Sequence, residues 1–121
     1  MERKFFLLAS ISGGLAVVLG AFGAHILKVR VETQLLTHFE IGVRYQIYHA
    51  LALLAVASVR WPSPRLLAAS GWSFLSGTVL FSGSLYLLTV TGERWFGAIT
   101  PLGGLTFIIG WLCLALAAWR R

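Results

Sequence analysis

The sequence predicts an all-α membrane protein, a four-transmembrane-helix antiparallel bundle with a short amphipathic segment between helices 1 and 2. Three observations predict it. Hydrophobic residues make up 58% of the chain and charged residues 12%, whereas a soluble domain keeps roughly a quarter of its residues charged. The apolar residues fall in long runs rather than in the short alternating stretches of core strands, and the mean hydropathy is +0.83. The basic residues gather at the ends of those runs, where interfacial anchors and topology signals belong. Lipid, not water, must therefore solvate most of the surface. The 121 residues read as a single membrane domain with spans at about 5–25, 44–60, 66–90 and 96–119.

The first span follows Arg3 and Lys4 and carries no charge across about twenty residues, enough at 1.5 Å per residue to match a hydrocarbon core of roughly 30 Å. It exceeds the apolar core of a signal peptide and is read as a retained helix. In the polar interval from Lys28 to Arg44, Leu35, Leu36, Phe39 and Val43 recur at helical spacing between Glu32, Gln34, His38 and Glu40. That pattern predicts a short amphipathic helix on the membrane surface, running into the second span. The second span ends at Arg60-Trp61-Pro62-Ser63-Pro64-Arg65, where two prolines forbid a continuing helix. The turn Thr91-Gly92-Glu93-Arg94 separates the third span from the fourth, which closes on Arg120 and Arg121.

Four crossings put both termini and the 60–65 turn on one side. That side carries Arg3, Lys4, Arg60, Arg65, Arg120 and Arg121 against Glu2; the other carries Lys28, Arg30, Arg44 and Arg94 against Glu32, Glu40 and Glu93. The positive-inside rule then predicts a multi-pass membrane protein with N- and C-termini in the cytoplasm. Membrane lipids are the expected partners. The net charge of +6 is accounted for by this flanking pattern, so nucleic acid is not an expected partner. Stripes of small residues (Gly13, Ala16, Gly20 and Gly23; Ser73, Gly77 and Gly83; Gly103, Thr106 and Gly110) allow close helix packing, within one chain or in a homo-oligomer. Cys113 is the lone cysteine, which excludes an internal disulfide or a paired-thiol redox centre.

With that topology His25 closes helix 1 on the outer side, and His49 lies about five residues into helix 2, roughly 7 Å below the surface. Gln46 is one turn shallower on the same face. Ser82, Ser84 and Tyr86 reach the same leaflet from helix 3, and Thr100 and Pro101 from helix 4. Buried polar groups in hydrocarbon must either satisfy one another or serve a ligand. Two readings stay open at this point: structural hydrogen bonding between helices, or a polar pocket in the outer leaflet that binds a lipid or small amphiphile, with Arg44 at its rim meeting an anionic headgroup. A small oligomeric transporter or channel and a structural subunit of a membrane complex are alternatives. Ligation of haem by His25 and His49 is a further one, although no cofactor or metal is otherwise expected. The spans contain no Asp or Glu, and no catalytic constellation is visible; Ser82-Gly83-Ser84 has no base placed to activate it. An enzyme is not expected.

Four segments occur together in order: Gly20-Ala21-Phe22-Gly23-Ala24-His25, then Arg44-Tyr45-Gln46 with His49-Ala50-Leu51-Ala52-Leu53, then Leu80-Phe81-Ser82-Gly83-Ser84-Leu85-Tyr86, and Thr100-Pro101-Leu102-Gly103-Gly104 with Gly110-Trp111. Through them the chain resembles, over essentially its whole length, the YgdD/YwdK-like family of small bacterial membrane proteins, domain of unknown function 423. The resemblance implies a multi-spanning inner-membrane protein with a retained first span, and no particular reaction. Its motifs mark His25, Arg44, Tyr45, Gln46, His49, Ser82, Ser84, Tyr86, Thr100 and Pro101.

Overall fold

The computed structural model is all-helical and describes residues 2–120, Glu2 by its backbone alone. The contributions of the Glu2 side chain and of Arg121 to the charge asymmetry thus lie outside the described residues. Helix α1 (Glu2–His25) is the first apolar run, uninterrupted by proline. A 3₁₀ turn at Leu27–Val29, its Leu27 buried, leads into α2 (Thr33–Ser58). Helix α3 (Pro64–Gly77) opens with a proline in its first turn, where the missing N–H is no loss. It continues through a π-turn (Thr78–Ser82) into α4 (Gly83–Thr91), which stops at Gly92 with φ 73°. A left-handed residue here lets its N–H cap the Leu88 carbonyl, and glycine adopts it without steric cost. A second 3₁₀ turn (Arg94–Ala98) leads into α5 (Thr100–Trp119).

Three helical stretches, Arg3–Val29, Pro64–Thr91 and Arg94–Trp119, are long and apolar enough to cross a membrane. Helix α2 has comparable length but carries Glu40, Arg44, Gln46 and His49. Its polarity goes with its position: Gln46 and His49 are each 5% exposed, so this is the inner helix against which the apolar ones pack.

The amphipathic segment expected on the membrane surface and running into the second span is the first part of α2. Nothing between Thr33 and Ser58 breaks the helix. Phe39, on its apolar stripe, packs inside the protein, 2% exposed, with its ring 5.0 Å from that of Tyr86 and against Gly23 of α1. A stripe that finds protein on two sides has no need of the membrane surface.

Aromatic rings fill the space that glycines leave. Along α1, Gly13 faces Ala50 and Ile47, Gly20 faces Val43, and Gly23 meets Phe39. Phe5 lies on Gly71 of α3, Phe74 on Gly110 of α5, and Phe107 on Gly77, while Gly103 sits against the backbone of Phe81 in the π-turn. All four predicted stripe positions of α1 are thus occupied within the chain, Ala16 being 2% exposed, whereas Gly14 and Gly83 face open space. With Leu53 and Val56, the rings of Phe5, Phe74 and Phe107 form the buried core.

Neighbouring glycines of α5 make the packing testable. A methyl group on Gly103 would come within 2.4 Å of the Phe81 backbone nitrogen, while one on Gly104 meets only the Phe81 ring at 3.9 Å. Gly103→Ala is therefore expected to cost about 1–3 kcal/mol. Gly104→Ala should be neutral or slightly stabilising, since alanine is the better helix former. Unfolding of both variants in mixed micelles checks this; equal stabilities would show that the contact between α5 and the π-turn is loose.

Candidate functional site

Along one face of α2, Gly42, Gln46, His49 and Leu53 follow at helical spacing, and Gln46 and His49 both bond to neighbouring helices. Gln46 Nε2 donates to the Ser12 carbonyl of α1 at 2.9 Å, and its Oε1 accepts from the Tyr86 hydroxyl of α4 at 2.6 Å. Ser82 Oγ donates to the Gly42 carbonyl at 2.6 Å. His49 Nδ1 donates to the Tyr45 carbonyl at 2.8 Å, and Nε2 accepts from the indole N–H of Trp111 in α5 at 3.1 Å. A carbonyl can only accept and an indole N–H can only donate, so these two bonds assign the neutral imidazole with its proton on Nδ1. Ser84 and Thr100 hydroxyls share a bond of 2.6 Å, joining α4 to α5. Thr89 bridges the Leu85 and Leu35 carbonyls.

Beside this network an open groove of about 540 Å³ runs where α2, the π-turn and α5 meet. Tyr45, His49, Phe81, Pro101, Phe107 and Trp111 line it, with Gly104 opening its wall. Its rings are mutually packed: His49 stacks on Phe107 at 3.5 Å and 7°, and Tyr45 lies 4.7 Å from Phe81. The edge carries exposed Leu105, Ile108 and Trp111, so the groove opens onto an apolar surface. The Tyr45 hydroxyl has no hydrogen-bond partner among the described residues, which leaves one polar contact for an occupant.

Of the residues singled out in the sequence, Tyr45, Gln46, His49, Ser82, Ser84, Tyr86 and Thr100 do come together, and Pro101 lines the groove. Arg44 does not: it lies in a separate groove between α1 and α2, beside Gly20, Glu40 and Val43. His25 sits exposed at the end of α1, while His49 is level with Ser12 and Gly13. Twelve residues of helix separate those levels, roughly 18 Å, so no two-histidine ligand pair is assembled, and both His49 nitrogens are engaged elsewhere. The expected shallow position of His49 also changes. Because α2 begins at Thr33, His49 lies about sixteen residues or roughly 24 Å along it, at the middle of α1. The partner Trp111 was missed; its signal is the spacing of Phe107 and Trp111, one turn apart on α5. Thr89 and the Ser12 carbonyl carried no such signal.

Residues 19–104 match the family described as Protein of unknown function (DUF423). The chain is 46% identical to the UPF0382 membrane protein YwdK of Bacillus subtilis, over 96% of each chain. It is 40% identical to the UPF0382 inner membrane protein YgdD of Escherichia coli, over 99% of this chain and 93% of that one. It is 39% identical to a UPF0382 membrane protein of Haemophilus influenzae, over 99% and 97%. No solved structure matches.

The Gln46 bridge gives a quantitative expectation. Tyr86→Phe removes the donor to Oε1 and should cost about 0.6 kcal/mol and no more than about 1.7, the mean and the maximum for hydrogen bonds between membrane helices. In a Gln46→Leu background the same change should cost almost nothing, because its partner is already gone. A double-mutant cycle in mixed micelles measures the coupling, and a coupling near zero would remove the bridge as a stabilising contact.

Proposed function

The chain belongs to the DUF423 family of membrane proteins, and on that premise we propose that it is a non-enzymatic inner-membrane protein that takes a lipid or small amphiphile into the aromatic groove between α2 and α5. The observation that carries this reading is the groove itself, walled by Tyr45, Phe81, Phe107 and Trp111 and opening onto an apolar edge. An occupant can enter it from the bilayer without crossing water. Rings at stacking distances favour a flat or chain-like apolar group, and the Tyr45 hydroxyl offers its polar end one hydrogen bond. The hydrogen-bonded network beside the groove supports binding over transport. Gln46, His49, Ser82, Ser84, Thr100 and Tyr86 all bond within the protein, so they provide rigid walls and no free polar path.

The reading includes α2 as a fourth crossing, with helices alternating in direction and both termini in the cytoplasm. The order of contacts supports it: Gly13, Gly20 and Gly23 of α1 meet Ala50, Val43 and Phe39 of α2, rising numbers against falling ones. Gln46 and His49 do not bar such a crossing, because both are hydrogen-bonded within the protein.

Gentle extraction followed by native mass spectrometry is expected to retain a bound amphiphile. Gly104→Leu, which fills the groove where only the Phe81 ring is near, should reduce retention to background. Arg44→Ala should leave it unchanged. If the parent retains nothing, or Gly104→Leu retains as much, the groove is not a binding site.

Orientation is checked by thiol labelling in a Cys113→Ala background. Glu93→Cys should react with an impermeant maleimide in intact cells, and Pro62→Cys only after permeabilisation. The opposite pattern would invert the topology.

A further inference from the structure

Helix α3 opens without a side-chain cap. Ser63 holds the N-cap position, but at φ −140° and ψ 64° its side chain makes no capping bond. The residue is 9% exposed, and its hydroxyl has no hydrogen-bond partner among the described residues. Pro64 supplies no N–H. The N–H groups of Arg65 and Leu66 precede the first intrahelical bond, which runs from Leu67 to the Ser63 carbonyl, and neither has a backbone acceptor among the described residues. Ser63, Arg65 and Leu66 line one open groove of about 460 Å³, and Arg120, at the far end of α5, joins them from the other side. Among the described residues no acidic side chain lines it.

We infer that this groove is a binding site for a phosphate group. Each part answers one requirement of that chemistry. The α3 terminus aims free backbone N–H groups and the positive end of the helix dipole at the anion. Two guanidinium groups add planar, bidentate donors. The hydroxyl of Ser63, a residue only 9% exposed, is a further donor without an acceptor among the described residues. The site is distinct from the aromatic groove, and neither depends on the other. A phospholipid headgroup and free phosphate share this chemistry. Trp61, half-exposed just before the site, is a residue type that settles at bilayer interfaces.

The full chain in phosphatidylcholine nanodiscs, with or without added phosphatidylglycerol, separates the two sources. By native mass spectrometry the parent should retain phosphatidylglycerol in preference to phosphatidylcholine. Arg65→Gln and Arg120→Gln should each lower that preference roughly five-fold, and Ser63→Ala should lower it less. Arg30→Gln, in the loop after α1, should leave it unchanged. In a second arm, inorganic phosphate is added to phosphatidylcholine nanodiscs and thermal unfolding is followed. Protection of the parent but not of the arginine variants, without lipid preference, assigns the site to free phosphate. If Arg65→Gln fails to fold, Arg65→Lys, which keeps the charge and loses the planar fork, should still weaken binding. A parent that discriminates neither ligand, or variants that bind both as the parent does, would overturn the inference.

Discussion

An amide side chain buried among apolar helices has to find its hydrogen bonds inside the protein, and in this chain that side chain is Gln46. Its nitrogen reaches the Ser12 carbonyl and its oxygen receives the Tyr86 hydroxyl. One residue of α2 therefore sets the rotation of α1 on one side and of α4 on the other. In hydrocarbon an unpaired amide costs several kcal/mol, which penalises any helix arrangement that leaves it open. The bonds from Ser82 to Gly42 and from Trp111 to His49 extend the same constraint to the π-turn and to α5.

Polar bonds orient the helices, and close packing holds them. Hydrophobic burial contributes little between helices already solvated by lipid, so the attraction must come from contact itself. The pairings of Phe5 with Gly71, Phe74 with Gly110 and Phe107 with Gly77 follow from that: a ring enters wherever the opposing helix has no Cβ. The π-turn belongs to the same arrangement. There the backbone of Phe81 comes closest to Gly103 and Ser82 reaches α2, as expected of a local irregularity that re-aims side chains.

Two features of different chemistry remain at the surface once these needs are met. Midway along the helices an aromatic groove faces an apolar edge and keeps a single free hydroxyl, at Tyr45. At the opening of α3 a groove carries guanidinium groups, free N–H groups and the Ser63 hydroxyl. The first suits an apolar group and the second an anion.

The all-helical class, the membrane setting and the helix boundaries at Pro64 and Gly92 were legible in the sequence. They depend on local properties: the length of apolar runs, the charges at their ends, and the backbone restrictions of proline and glycine. That Tyr45, Gln46, His49, Ser82, Ser84, Tyr86 and Thr100 are polar residues set in largely apolar helices was also legible. Their partners were not. Gln46 meets Ser12 across 34 positions, Tyr86 across 40, and His49 meets Trp111 across 62. Those distances along the chain are bridged only by the rotation and register of packed helices, to which no residue's own propensity is sensitive. The same cause removed His25 and Arg44 from the cluster, moved His49 to mid-helix, and brought Arg65 to Arg120. The sequence by itself determined which stretches are helical and apolar; tertiary packing alone decided what each side chain meets, because hydrogen bonds and ring contacts depend on angles between helices rather than on any one helix.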